Sequence, residues 1–476
     1  MSYEIVIGLE VHVELLTRSK LFCGCPNDFS SKPNTNVCEV CLGFPGTLPH
    51  LNGGAVDQAL RAALALNCEI SLCSRFDRKN YFYPDTPKGY QTTQFFKPIG
   101  EHGHLEIEGP EMGKKVVGIT RVHIEEDAGK LVHSPAGDCS MVDFNRAGVP
   151  LVEIVSEPDL RSPAEARCYL ERLKSILQYA RVSDCKMEEG SLRCDANISL
   201  RLPGQEKLGV KTELKNMNSF RAVERALEYE IRRQAEILDG GGEVISETRR
   251  WIEEDEKTVA MRSKIESYRY FTDPELAPVE LSAAYVEETR SSLPEFAPQR
   301  IIRYIEEYEL PRYDAEVITG NYFLSEYFEA CLQEYPHPKT VSNWLMGDFT
   351  ALVKAEGKEI EELDFSPSHL ADLLNMIDEG LISGKIAKQV LETSFKTGQK
   401  PRKVVEAEGL LQITDEEEIE NIVNAVVSEN PSSVNDYRAG KKKALGFLVG
   451  QVMKITAGKA NPQMVNKLLR KILDES

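Results

Sequence analysis

No apolar run in this sequence is long enough to span a bilayer as a helix, which excludes a helical membrane protein. Residues 1–15 carry charges among their apolar positions and so do not form a signal peptide; the chain reads as intracellular, soluble and cytoplasmic. There is no G-x-x-x-x-G-K-[ST] loop and no G-x-G-x-x-G fingerprint. If ATP is used, metal and sheet-borne side chains must hold it. There is also no G-x-S-x-G elbow, nor any other nucleophile constellation, so the chain can activate a substrate without making its own nucleophile. Positive charge is scarce. The 57 Lys and Arg stand against 76 Asp and Glu, a net charge of −19, which excludes a surface that binds nucleic acid everywhere but not a local basic patch. The 11 cysteines are odd in number and come without an export signal, against a disulfide framework.

What is present starts with YEIVIGLEVHVEL, residues 3–15. Ile5, Ile7, Leu9, Val11 and Val13 fall on one side of a strand; Glu10 and His12 fall on the other, roughly 6–7 Å apart along it. A carboxylate beside an imidazole suits a divalent ion or a reacting phosphate. Next, Cys23, Cys25, Cys38 and Cys41 form two close pairs joined by a polar loop, the spacing of a structural four-cysteine zinc knuckle. Residues 76–94 mix Arg78, Lys79 and Lys88 with Tyr81, Phe82, Tyr83 and Tyr90, a loop chemistry suited to phosphates or bases.

Four more stretches repeat the alternating design: 116–130, 150–159, 194–201 and 209–216. Their polar faces hold Arg121, His123, Glu125 and Asp127; Glu153 and Glu157; Asp195 and Asn197; Lys211, Glu213 and Lys215. Mixed charge on several strands predicts an α+β fold, with an antiparallel sheet, helices on one side and a working face on the other. Ser162-Pro163-Ala164-Glu165 is a capping box that opens a helix, and a second helix runs from about Phe220 to a Gly240-Gly241-Gly242 stop. The segments SETRRW and SYRYFTDPELAP could clamp phosphate or stack on a base through Arg249, Arg250 and Arg269 with Tyr268 and Tyr270. Prolines 274, 278, 294 and 298 place a boundary near 290, giving 1–290, a helical region 291–405 and a tail 406–476. The stretch 438–471 contains no Asp or Glu. Lys441, Lys442, Lys443 and Lys454 there read as nucleic-acid contacts, with Leu445, Leu448, Val452 and Ile455 as a helical stripe.

Together, VIGLEVHVEL, FDRKNYFYPD, GITRVHIEEDAGK, PLVEIVSEPD, KMEEGSLRCDANIS, ELKNMNS, SNWLMG and GFLVGQVMK closely resemble the B-subunit family of the aspartyl/glutamyl-tRNA amidotransferases, nearly end to end. The resemblance implies a cradle of the glutamine synthetase and guanido kinase type, then a helical domain and a small tail domain that contacts tRNA. It implies that ATP with Mg²⁺ phosphorylates the side-chain carboxylate of Glu on tRNA(Gln), or Asp on tRNA(Asn). Ammonia from an amidase-like A subunit then displaces phosphate, and a small C subunit ties the two together. Carried over residue by residue, the Mg²⁺ site falls on Glu10, His12 and Glu125. Glu126 and Glu157 are further candidates, Lys79 and Arg193 fall at phosphate contacts, and structural Zn²⁺ falls on Cys23, Cys25, Cys38 and Cys41. Ser267 and Thr272 depart from the family pattern, which has an acid before YRYF and proline after it. Two alternatives stand beside this reading: a glutamine-synthetase-like ligase for a free small acid, and a non-catalytic tRNA-binding adaptor.

Overall fold

The computed structural model describes residues 3–475 apart from 29–30, 110–112, 135–136, 138, 262–267, 413–414, 440, 442 and 457; Lys442 and Ser267 therefore lie outside the described residues. The chain divides into two compact units, 1–296 and 297–476.

The strands of the first unit are β1 (Glu4–Glu14), β2 (Glu69–Ile70), β3 (Cys73–Asn80), β4 (Tyr90–Lys97), β5 (Gly100–Gly109), β6 (Gly113–Glu126), β7 (Lys130–His133), β8 (Ser140–Asp143), β9 (Pro150–Ser156), β10 (Leu192–Arg201), β11 (Thr212–Lys215), β12 (Glu247–Ile252), β13 (Lys257–Ala260), β14 (Arg269–Thr272) and β15 (Val279–Glu280). Nine of them make one sheet in the order β13-β12-β11-β10-β1-β9-β6-β5-β2. Neighbours run antiparallel except β11 and β12. All five alternating stretches contribute to it, with β1 near its middle. A second sheet places β14, β15 and β4 around β3.

One face of the large sheet is covered by α1 (Gly53–Ala65), α2 (Pro163–Tyr179) and α3 (Phe220–Asp239). Ile7, Leu9, Val11 and Val13 are fully buried there, with Ala59, Leu170, Leu173 and Leu227 of the helices in the same core. Period-2 burial from the strand meets period-3.6 burial from the helices, which leaves the polar face of β1 on the other side. Caps fix the helix starts. Ser162 Oγ accepts the Glu165 amide at 3.1 Å, and Ser219 Oγ accepts that of Ala222 at 3.0 Å. The Ser162 box closes only in that half. The Glu165 carboxylate accepts instead from the Arg161 amide at 2.8 Å and from Lys115 at 2.6 Å, because β6 brings a cation beside it.

The second unit is helical. Its buried apolar side chains form two clusters, one from Tyr304 to Val405 and one from Ile419 to Leu473. In the second cluster Leu448 and Val452 are buried, but Ile455 is 57% exposed, so the stripe expected there stops one turn early. Among the described residues, no helix is long and apolar enough to cross a membrane.

Candidate functional site

Strand register assembles the site. His123 of β6 stands opposite Glu153 of β9, Glu153 opposite His12 of β1, and His12 opposite Arg193 of β10. Opposed residues in an antiparallel ladder point to the same face, so these four side chains form one row across four strands. In the next row along the strands, Arg121, Val155, Glu10 and Asp195 are aligned in the same way.

His12 Nε2 lies 3.3 Å from Glu125 Oε1 and 3.5 Å from Glu153 Oε2. His123 Nε2 lies 3.1 Å from Glu153 Oε2 and 3.7 Å from Glu125 Oε2. One ligand atom each from His12, Glu125 and Glu153 falls within 4.8 Å of the others. Burial pushes the Glu125 carboxyl up, but hydrogen bonds from His12 and His123 outweigh it and hold the group at about 2. Against the same burial effect, His123 and His12 hold Glu153 well below the usual carboxylate range. Burial also opposes charge on His12, yet Glu125 and Glu153 raise it well above the usual histidine value. Glu10 is raised, first by burial and then by Glu153, while Asn197 Nδ2 donates to its Oε1 at 2.8 Å.

The structure thus brings His12 and Glu125 together, with Glu10 in the adjoining row. Of the other candidates, only Arg193 stands in the His12 row. Glu126 points to the opposite face, where it pairs with Lys88 and accepts the Thr92 amide at 2.8 Å. Glu157 lies just beyond the end of β9 and accepts from Thr120 Oγ1 at 2.8 Å. Arg193 spends its guanidinium on Asp127, 2.7 Å away, which Arg146 also approaches at 3.4 Å. Lys79 sits on β3, its ammonium 4.7 Å over the Tyr268 ring. Glu153 and His123 were visible in the sequence as polar-face residues; what singles them out is the register of β9 with both β1 and β6.

The four cysteines 23, 25, 38 and 41 are free thiols whose sulfurs lie within 4.8 Å of one another. Cys41 accepts the Cys38 amide at 3.1 Å. A hydrogen bond from Cys23, helped by the charge of Lys20, pulls the Cys41 thiol down to about 5, and the same contact pushes Cys23 up. Lys20 is fully buried (0% exposed), its Nζ 3.9 Å from Cys41 Sγ and 3.2 Å from the Phe144 carbonyl. A cavity of about 200 Å³ opens beside this cluster rather than at the His12 row. Its charged lining is already paired: Lys88 with Glu126, and Arg78 with Asp273 and Glu275. In the tail, Lys441 pairs with Asp436 at 2.8 Å, while Lys443 and Lys454 are exposed.

Residues 5–287 match the family model described as GatB/GatE catalytic domain, and residues 326–473 match that described as GatB domain. The chain is 56% identical over 477 residues to the B subunit of the aspartyl/glutamyl-tRNA(Asn/Gln) amidotransferase of Thermoanaerobacter sp. (strain X514), covering 100% of both. It is 56% identical over 479 residues to the corresponding protein of Moorella thermoacetica, covering 99% of this chain and 100% of that one. It is 53% identical over 475 residues to that of Brevibacillus brevis, covering 99% of each. With both models matched and identity above half from end to end, the chain belongs to the GatB/GatE family.

Proposed function

We propose that this chain is the carboxylate-activating subunit of a cytoplasmic, tRNA-dependent amidotransferase. It transfers the terminal phosphoryl group of ATP to the side-chain carboxylate of Glu-tRNA(Gln), of Asp-tRNA(Asn), or of both. Ammonia released from glutamine by an amidase-like A subunit then attacks the acyl carbon and expels phosphate, leaving the amide; a small C subunit joins the two. The observation that carries this reading is the His12–Glu125–Glu153 group on the sheet face opposite the helices, in a chain of this family.

A carboxylate is a poor electrophile because its leaving group would be oxide; phosphorylation supplies a stable one. Positioning and charge neutralisation dominate such a transfer. The donor set fits Mg²⁺: two carboxylates held ionised, an imidazole between them and Glu10 alongside make an oxygen-rich cluster suited to a hard dication. When bound there, Mg²⁺ neutralises the transferring phosphoryl oxygens. His123, buried at the β6 end of the row, orients Glu153 and Glu125. Lys79 at the edge adds a cation for nucleotide phosphate. The nine-stranded sheet is, in this reading, the cradle of the glutamine synthetase and guanido kinase type. Residues 291–405 form the helical domain, and 406–476 form the tail that grips tRNA. The deciding assay uses the purified chain with and without its two partner subunits. It follows ATP-dependent conversion of Glu-tRNA(Gln) to Gln-tRNA(Gln) with ammonium as nitrogen source; no conversion under any combination refutes the reading.

The cysteine cluster fits structural Zn²⁺ for a reason of charge. A lysine without solvent needs an anion, and Cys41 thiolate is the one beside Lys20. Four thiolates around Zn²⁺ carry net charge −2, which Lys20 partly offsets. Lys20→Met, close in volume but uncharged, should weaken zinc binding roughly 10- to 100-fold, the usual effect of losing an outer partner. Competition with a chromophoric chelator measures it; unchanged affinity would mean that the lysine and the thiols are merely neighbours.

A further inference from the structure

Strands β4 and β14 carry aromatic rings that the chemistry above leaves unused. Phe95 and Tyr270 stack, centroids 3.9 Å apart and planes at 14°. Phe96 meets Phe95 edge-on at 5.1 Å, and Tyr268 meets Tyr270 at 6.5 Å. Rings this contiguous are normally buried, yet Phe96 is 58% exposed, Tyr268 40% and Phe95 37%. Cations interleave with them. Lys79 lies over Tyr268, and the Arg121 guanidinium lies 5.5 Å from the centre of Phe95. Neither cation has a carboxylate partner among the described residues, in a chain of net charge −19.

The rings are fixed to the working end of the large sheet. Gln94 Oε1 accepts the Ile124 amide at 3.0 Å, and Gln91 Nε2 donates to the Glu126 carbonyl at 2.9 Å. Arg121, in the row beside His123, donates to the Phe95 carbonyl at 3.3 Å. These bonds lay β4 across the end of β6 that carries Glu125. Tyr270, raised mainly by burial, also feels Lys79, Arg121 and Glu153.

We propose that Phe96, Tyr268 and the Phe95–Tyr270 stack are the platform on which the unpaired 3′-terminal bases of the aminoacylated RNA lie, with Arg121 meeting its phosphates. This rests on the proposed function, in which the reacting carboxylate hangs from that 3′ end. Stacking on rings needs no base-specific hydrogen bonds, and alternating rings and cations suit a single strand. The exposed rings come from two strands and offer more surface than one adenine covers, which favours a run of bases over the ring of ATP. Arg121, with no carboxylate partner among the described residues, supplies beside them the opposite charge that a phosphate backbone needs.

The test uses the assembled enzyme with Phe96→Ala and Tyr268→Ala combined; both side chains are exposed. The control is Phe96→Tyr with Tyr268→Phe, which keeps both rings. The alanine pair should raise KM for Glu-tRNA about tenfold or more, leave the Kd for ATP measured by equilibrium dialysis unchanged, and regain wild-type KM in the control. An unchanged KM in an otherwise active enzyme overturns the platform and leaves the proposed function standing. Weakened ATP with unchanged tRNA KM assigns the rings to the nucleotide and also overturns it. A wild-type complex that fails to amidate at all removes the proposed function and the platform with it.

Discussion

Glu125→Gln should lower ATP-dependent amidation by about 10²–10³-fold in the assembled enzyme, with tRNA affinity unchanged. The amide keeps the size of the side chain, and its single oxygen can accept from His12 or from His123 but not from both, since the two imidazoles meet different carboxylate oxygens. What it removes is charge. The group is 3% exposed, held ionised by two imidazoles, and is one of the two carboxylates of the His12–Glu125–Glu153 group. One carboxylate and an imidazole attract a hard dication far less than two carboxylates do. The loss should therefore appear in the rate of phosphoryl transfer and in the Mg²⁺ concentration needed for half-maximal activity. Glu153→Gln should match it, because register places Glu153 between the two histidines. Single-turnover acyl-phosphate formation, trapped with hydroxylamine, is the direct readout. Wild-type rates in both variants would make the chain an adaptor rather than the site of chemistry.

The polar face of β1 was legible because alternation is a one-strand property: Glu10 and His12 had to share a side whatever lay next to them. The third member of the His12–Glu125–Glu153 group was not. Glu153 and Glu157 are in phase on one stretch, and only the pairing of β9 with β1 and β6 places Glu153 level with His12. A shift of four residues would have kept every apolar side chain on the core face and brought Glu157 in its place, so composition cannot decide. The stretch 76–94 read as a loop because Asp77, Arg78 and Lys79 interrupt any apolar alternation. It contains the end of β3 and the start of β4, stabilised by partners far away in sequence: Asp77 accepts the Phe95 and Phe96 amides, each at 2.9 Å, and Arg78 binds Asp273 at 2.8 Å. The cysteine knuckle was legible from spacing alone. The buried Lys20 beside it was not, since nothing local marks a lysine for burial.

Ending the chain at Leu410 should raise KM for aminoacyl-tRNA by about 10²-fold or more while leaving the Kd for ATP as it was. The cut falls between cores. Leu410 packs against the cluster that runs from Tyr304 to Val405, whereas Ile419, Val423, Leu448, Val465 and Leu469 belong to the next. Removing the second cluster whole leaves no half-exposed partner to unfold the first. The truncation takes away the basic surface of a strongly acidic chain. Lys443 and Lys454 project into solvent without ion-pair partners among the described residues, whereas Lys441 is already engaged by Asp436. Lys443→Glu with Lys454→Glu should accordingly reproduce part of the effect. For each lysine–phosphate pair removed, the slope of log affinity against log salt should flatten by about one. Lys441→Ala should do less, because its charge is partly spent within the tail. A ligase acting on a free small acid has no use for this surface. It would keep full turnover after truncation, and that result would separate the amide chemistry of this chain from tRNA altogether.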